Sequence, residues 1–121
     1  MILADGCFDP IHYGHIRYLR AAKATGPGHS LMVRVAPDEV IRAKGRTPFQ
    51  THHERMMTVL AIGVVDRVCT YPTLARAVLA LHPTFLVKGE EWRDHLPKDV
   101  LKACQTVGTT IVYTATQERT S

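Results

Sequence analysis

The feature that most constrains this chain is an alternation. Short apolar runs take turns with stretches of helical periodicity from one end to the other. "MILA" opens as a strand stub, and Ile16, Leu19 and Ala22 then recur at helical spacing until Gly26 and Pro27 stop them. "SLMVRVAP" (30–37) is a β-rich run ended by proline, and a Gly/Pro-punctuated basic loop follows from Arg42 to Phe49. Thr51 with Glu54 three residues later is a capping-box signature, opening a helix through "THHERMMTVLAIGVV". "DRVCTY" reads as a strand, and "PTLARAVLALH" as a helix with Leu74, Val78 and Leu81 on one face. "TFLVKG" is a strand ended by Gly89, "PKDVLKACQTVG" a helix bounded by Pro97 and Gly108, and "TTIVYTA" a last strand. The order β-α-β-loop-α-β-α-β-α-β predicts an α/β fold, a Rossmann-like doubly wound parallel sheet of about five strands with helices on both faces. The strand runs are apolar rather than alternating, as expected for strands buried on both sides. A length of 121 residues fits one domain.

Composition narrows the function classes. Hydrophobic residues make up 45% and charged residues 21%, the balance of a soluble globular protein. No apolar run is long enough to span a bilayer, and no signal-peptide pattern opens the chain. Cys7, Cys69 and Cys104 are widely spaced and form no CxxC pair, so neither a zinc knuckle nor a disulfide scaffold is expected, and a cytoplasmic setting is. The net charge of +4 comes from dispersed basic residues, with Arg42, Lys44 and Arg46 the one dense group. With no basic tail and no basic stretch interleaved with aromatics, a phosphorylated small molecule accounts for the charge as well as nucleic acid would.

"GCFDPIHYGH" (6–15) carries the chemistry. In the expected sheet it lies at the carboxyl end of the first strand, where such folds bind ligands. Gly6 permits close backbone approach to a ligand. His12, Gly14 and His15 fall at the first turn of the first helix, whose free N–H groups and dipole favour an anion. Histidines at i and i+3 share one face, so both imidazoles can address one phosphate, and Gly14 keeps a side chain out of their way. Such a site suits in-line attack on phosphorus, which needs positioning and charge stabilisation but no covalent nucleophile. Metal ligation by His12, His15 and His52 or His53 is the weaker reading, because no carboxylate repeats at ligand spacing. Met56 and Met57 are expected in the core.

The same ten residues resemble the HxGH signature of the cytidylyltransferase-like nucleotidyltransferases. "IRAKGRTPFQTHHERMMTVLAIGVVDRV" resembles that superfamily's lysine loop and following helix, and "FLVKGEEW" its later loop, so the likeness runs along almost the whole chain. The nearest branches are glycerol-3-phosphate cytidylyltransferase and the heptose-1-phosphate adenylyltransferase domain. The resemblance implies transfer of CMP or AMP from CTP or ATP to a phosphorylated polyol or sugar, with release of pyrophosphate, Mg²⁺ accompanying the nucleotide, and a homodimer. Carried onto this chain, it makes His12, His15 and Lys44 catalytic. Gly6, Cys7 and Phe8 would offer backbone contacts to the nucleotide, with Phe8 chiefly packing. Arg55 would help bind phosphates, and Lys88, Gly89, Glu91 and Trp92 would form part of the pocket. Arg119, Thr120 and Ser121 look like the start of a phosphate-binding turn that the family continues into a helix, so the domain 1–121 is expected to be cut short there. Glu90 and Glu91 lean towards the glycerol-phosphate branch, "RTPF" and "LVKG" towards the heptose branch, which leaves nucleotide and acceptor open. Two rivals remain: adenylyl transfer of the nicotinate or pantetheine type, and a non-catalytic nucleotide- or nucleic-acid-binding domain on the same fold.

Overall fold

The computed structural model describes residues 1–115. Five strands form one parallel sheet: β1 (Ile2–Gly6), β2 (Leu31–Val35), β3 (Arg67–Cys69), β4 (Phe85–Gly89) and β5 (Thr110–Thr114), in the order β3-β2-β1-β4-β5. The helices are α1 (Tyr13–Thr25), α2 (Asp38–Ala43), α3 (His52–Leu60), α4 (Leu74–Leu81) and α5 (Lys98–Val107), with a 3₁₀ turn at Glu90–Trp92. The expected doubly wound sheet is thus the observed one.

Two apolar layers hold it together, and side-chain alternation along β1 shows why both form. Ile2 and Ala4 pack with Leu19, Ala22 and Val59 under α1 and α3. Leu3, between them, faces the other way and joins Leu86, Val78, Val100 and Ala103 under α4 and α5. The chain leaves β1 towards β2 on one side and returns through β4 on the other, so the strand order reverses beside β1. Ligand crevices open at the carboxyl ends of strands at such a reversal.

Three local expectations need correction. Residues 38–43 form a helix, so Arg42 and Ala43 belong to it and not to the expected loop: Asp38 and Glu39 suit the positive N-terminal end of the dipole, and Asp38 meets Arg42 one turn on at 3.8 Å. Helix α3 stops at Leu60, short of Gly63, rather than running to Val65. Met57 is 50% exposed, so only Met56 of that pair packs against the core.

Candidate active site

A cavity of about 920 Å³ opens at the carboxyl ends of β1 and β4. It gathers Gly6, Cys7, Phe8, His12, Gly14, His15, Lys44, Lys88, Gly89, Glu91 and Trp92 around one space. Residues 6–15 and 88–92, distant in sequence, become opposite walls because β1 and β4 are neighbours. Arg119, Thr120 and Ser121 lie outside the described residues.

The two histidines are locked by the helix they open. His12 is the N-cap of α1. Its Nδ1 accepts from the Gly14 N–H at 3.1 Å, while the His12 N–H donates to Nδ1 of His15, also at 3.1 Å. This is a capping box built from imidazoles in place of hydroxyl and carboxyl groups. The rings stack with centroids 3.8 Å apart and planes 25° from parallel. Since each Nδ1 is an acceptor, the proton of each neutral ring resides on Nε2. The pair therefore lines the cavity with two N–H donors. Burial, reinforced by the neighbouring His12, lowers the His15 pKa to about 4, so His15 is a neutral donor at physiological pH.

The loop before the helix is shaped by its own aromatic. Phe8 is buried with φ +52°, and its ring lies where a Cβ on Gly6 would fall, 2.8 Å away. Gly6 is thus required by the fold of the loop, because the space beside it belongs to Phe8. The Phe8 ring also meets His15 edge-on, with centroids 5.1 Å apart. Asp9 ties this loop to the next wall by accepting the Phe49 and Gln50 N–H groups at 2.9 Å. Burial pushes the Asp9 carboxyl up, but those hydrogen bonds and the charges of Arg55 and Arg46 outweigh it, and the net displacement is downward.

Lys44 is exposed at the mouth, its Nζ 3.4 Å from Cys7 Sγ. Arg55 is not where the resemblance puts it. It is fully buried behind the loop and absent from the cavity wall. Nη1 donates to the carbonyls of Cys7 and Ala36 at 2.8 Å each, Nη2 pairs with Asp38 at 2.7 Å, and Nε is buried without a hydrogen-bond partner. All of that bonding is internal, so Arg55 fixes the loop carrying Cys7 instead of reaching a phosphate. His52 is likewise away from the first pair, against Thr70 and the Val35 carbonyl at 2.9 and 3.2 Å.

Sequence reasoning passed over Asp5, Arg34 and Asp99, and noted Arg46 only as part of the basic group; all four also line the cavity. A charge inside the apolar run "LMVRV", and another just before Gly6, were the available signals, since buried charges are rare unless paired. Among the described residues, no group of three or more His, Cys, Asp or Glu could hold a metal ion by itself. No helix among them is long and apolar enough to cross a membrane. The three cysteines are free thiols.

Comparison with known proteins agrees with this geometry. The bifunctional protein HldE of Coxiella burnetii is 37% identical over 97 residues, 77% of this chain and 20% of that protein. The ethanolamine-phosphate cytidylyltransferase of Arabidopsis thaliana is 46% identical over 67 residues, 55% of this chain and 15% of that one. The chain thus spans about a fifth or less of the length of these relatives. Among solved structures, a lipopolysaccharide core biosynthesis protein from Thermoplasma volcanium superposes with a TM-score of 0.76 at 25% identity, covering 99% of this chain and 97% of that one. Residues 3–121 match the family described as Cytidylyltransferase-like, and the chain belongs to that family.

Proposed function

We propose that this chain is a nucleotidyltransferase, moving CMP or AMP from the triphosphate to a phosphorylated polyol or sugar and releasing pyrophosphate. The observation that carries this reading is the histidine pair: two Nε2–H donors, fixed by a reciprocal cap, at the N-terminus of α1. An oxygen of the acceptor phosphate attacks the α-phosphorus, and the bond from that phosphorus to the bridging oxygen breaks on the opposite side. Negative charge grows on the α-phosphoryl oxygens and the leaving pyrophosphate. His12 and His15 donate to those oxygens, and the α1 dipole adds a favourable field. Lys44 supplies a mobile positive charge at the mouth, suited to the outer phosphates. No proton need leave a side chain, since the attacking phosphate is already anionic.

Magnesium fits as a companion of the nucleotide. Asp5 is engaged by Arg34 and Lys88, and Asp9 by two backbone N–H groups, which leaves Glu91 and Asp99 as the wall carboxylates suited to a cation. One or two carboxylates plus phosphate oxygens is the usual Mg²⁺ arrangement. When bound, it would neutralise part of the triphosphate charge.

The relatives divide between a cytidylyltransferase and HldE, so the nucleotide is the first thing to determine. Melting temperature measured with Mg²⁺ and each of CTP, ATP, GTP and UTP does so, because a ligand at 100 times its Kd adds about 2.7 kcal/mol. A shift with CTP alone assigns cytidylyl transfer, and one with ATP alone assigns adenylyl transfer. No shift with any of the four contradicts the reading. A homodimer belongs to the same proposal and is read from sedimentation equilibrium.

A further inference from the structure

The cavity floor holds a buried charge cluster that neither the histidines nor the lysine at the mouth account for. Asp5 at the end of β1 lies between two cations. Arg34 of β2 meets one carboxylate oxygen at 2.8 Å, and Lys88 of β4 meets the other at 3.2 Å. The side chains are 5%, 12% and 7% exposed for Arg34, Asp5 and Lys88. Two cations share one carboxylate, which leaves one positive charge uncompensated in a poorly solvated place. Such a charge is costly unless an anion joins it. Glu91 and Asp99, also on the cavity wall, are exposed, so their charges are screened by water.

The two cations differ in what else they hold. Arg34 has every nitrogen engaged by the protein, giving Nη1 to Asp5, Nε to the Tyr71 carbonyl and Nη2 to the Pro72 carbonyl, each at 2.8 Å. Lys88 has only Asp5 and the face of Trp92, 4.5 Å from its Nζ, and an ammonium carries three donors. The nitrogen of the cluster least engaged by the protein is therefore Lys88 Nζ, on the cavity wall.

We propose that the floor is a phosphate subsite centred on Lys88, and that Arg34 is a positioning residue which keeps it available. By holding Asp5, Arg34 prevents that carboxylate from neutralising Lys88. This rests on the cavity taking phosphorylated ligands. The phosphate belongs either to the nucleotide side or to the acceptor side.

The experiment is calorimetric titration of the whole chain with pyrophosphate and, separately, with glycerol 3-phosphate. It compares the wild type with Lys88→Met, Arg34→Met, Arg34→Lys and the double variant Asp5→Asn/Arg34→Met. The expected result is a roughly tenfold or greater loss of affinity in Lys88→Met and in Arg34→Met, for whichever ligand seats its phosphate on the floor. Arg34→Lys keeps the charge and stays near wild type. The double variant, with the acid removed as well, recovers to within about threefold of wild type. That recovery separates charge balance from support of the Tyr71–Pro72 segment, because the double variant lacks those hydrogen bonds too. Thermal melts show that each variant is folded, and Arg34→Lys carries the comparison if Arg34→Met is not. Wild type that binds both ligands, with Arg34→Met equally tight or the double variant as weak as Arg34→Met, overturns this inference alone. Wild type that binds neither ligand removes the transferase reading together with it.

Discussion

Replacing Arg55 distinguishes a residue that holds the active-site loop from one that holds substrate. The guanidinium is fully buried, bridging the carbonyls of Cys7 and Ala36 and the Asp38 carboxylate at 2.7–2.8 Å. Arg55→Met leaves two carbonyls without their donor and a carboxylate without its cation. Removing one partner of a buried pair costs about 3–5 kcal/mol. The Asp38 side chain is 28% exposed, so water recovers part of its share and places the loss near the lower end of that range. A protein of this size has roughly 5–15 kcal/mol in total, so the variant should fold with a much reduced margin. Urea denaturation measures it: with a slope of about 1–3 kcal/mol/M, the midpoint should fall by 1 M or more at unchanged slope. Arg55→Lys keeps the charge near Asp38 but loses the planar fork, and should cost about 1–3 kcal/mol. A loss below about 1 kcal/mol in Arg55→Met, with a large rise in KM for nucleotide or acceptor, would refute the assignment and restore Arg55 as a phosphate ligand.

Two further outcomes follow from the site. His15 titrates near 4 when folded, through burial and then the His12 charge, against an ordinary value of 6.5. Its folded pKa is depressed, so the unfolded chain takes the proton first, and stability present above pH 6.5 is lost as pH falls towards 4. The full shift would be worth about 3 kcal/mol, and the partly open site reduces this to about 1–2 kcal/mol. Denaturation at pH 7 and pH 4.5 should show wild type losing that much more than His15→Asn; equal losses would contradict it. Gly89 has φ −66°, where alanine is unstrained, but an added Cβ would fall on the Glu91 carboxylate. Gly89→Ala should therefore change stability by under about 1 kcal/mol while lowering kcat/KM several-fold, and unchanged kinetics would show that the position of Glu91 is immaterial.

The sheet was legible because the strands are short, mostly apolar runs set between helical patterns, and helices such as α1 and α5 carry a stop signal at Gly26 and Gly108. Helix α2 was not. It has six residues and its N-cap, Pro37, makes no side-chain capping bond, so neither periodicity nor a cap marks it. The histidine pair was legible as two imidazoles at one helix start. Its reciprocal cap was not, because which ring nitrogen accepts depends on side-chain geometry. Arg55 was misplaced for a general reason: an arginine that binds phosphate and one that binds carbonyls look alike in sequence, and only burial separates them. Arg34 and Asp5 show the converse. A charge in the middle of an apolar strand needs a partner, but the partner comes from another strand and waits on the register that pairs Asp5 with Arg34.

The central claim is that His12 and His15 act as fixed donors to a transferring phosphate. The most direct test is ³¹P NMR of pyrophosphate release from CTP and from ATP, with phosphorylated polyols and sugars as acceptors, comparing wild type with His15→Asn. Asparagine can still accept the His12 N–H through its side-chain oxygen, so the cap and the melting temperature should persist. It lacks the donor at the Nε2 position. The account predicts turnover lowered by about 10²–10³-fold in a fully folded variant. Wild-type turnover in His15→Asn would contradict it.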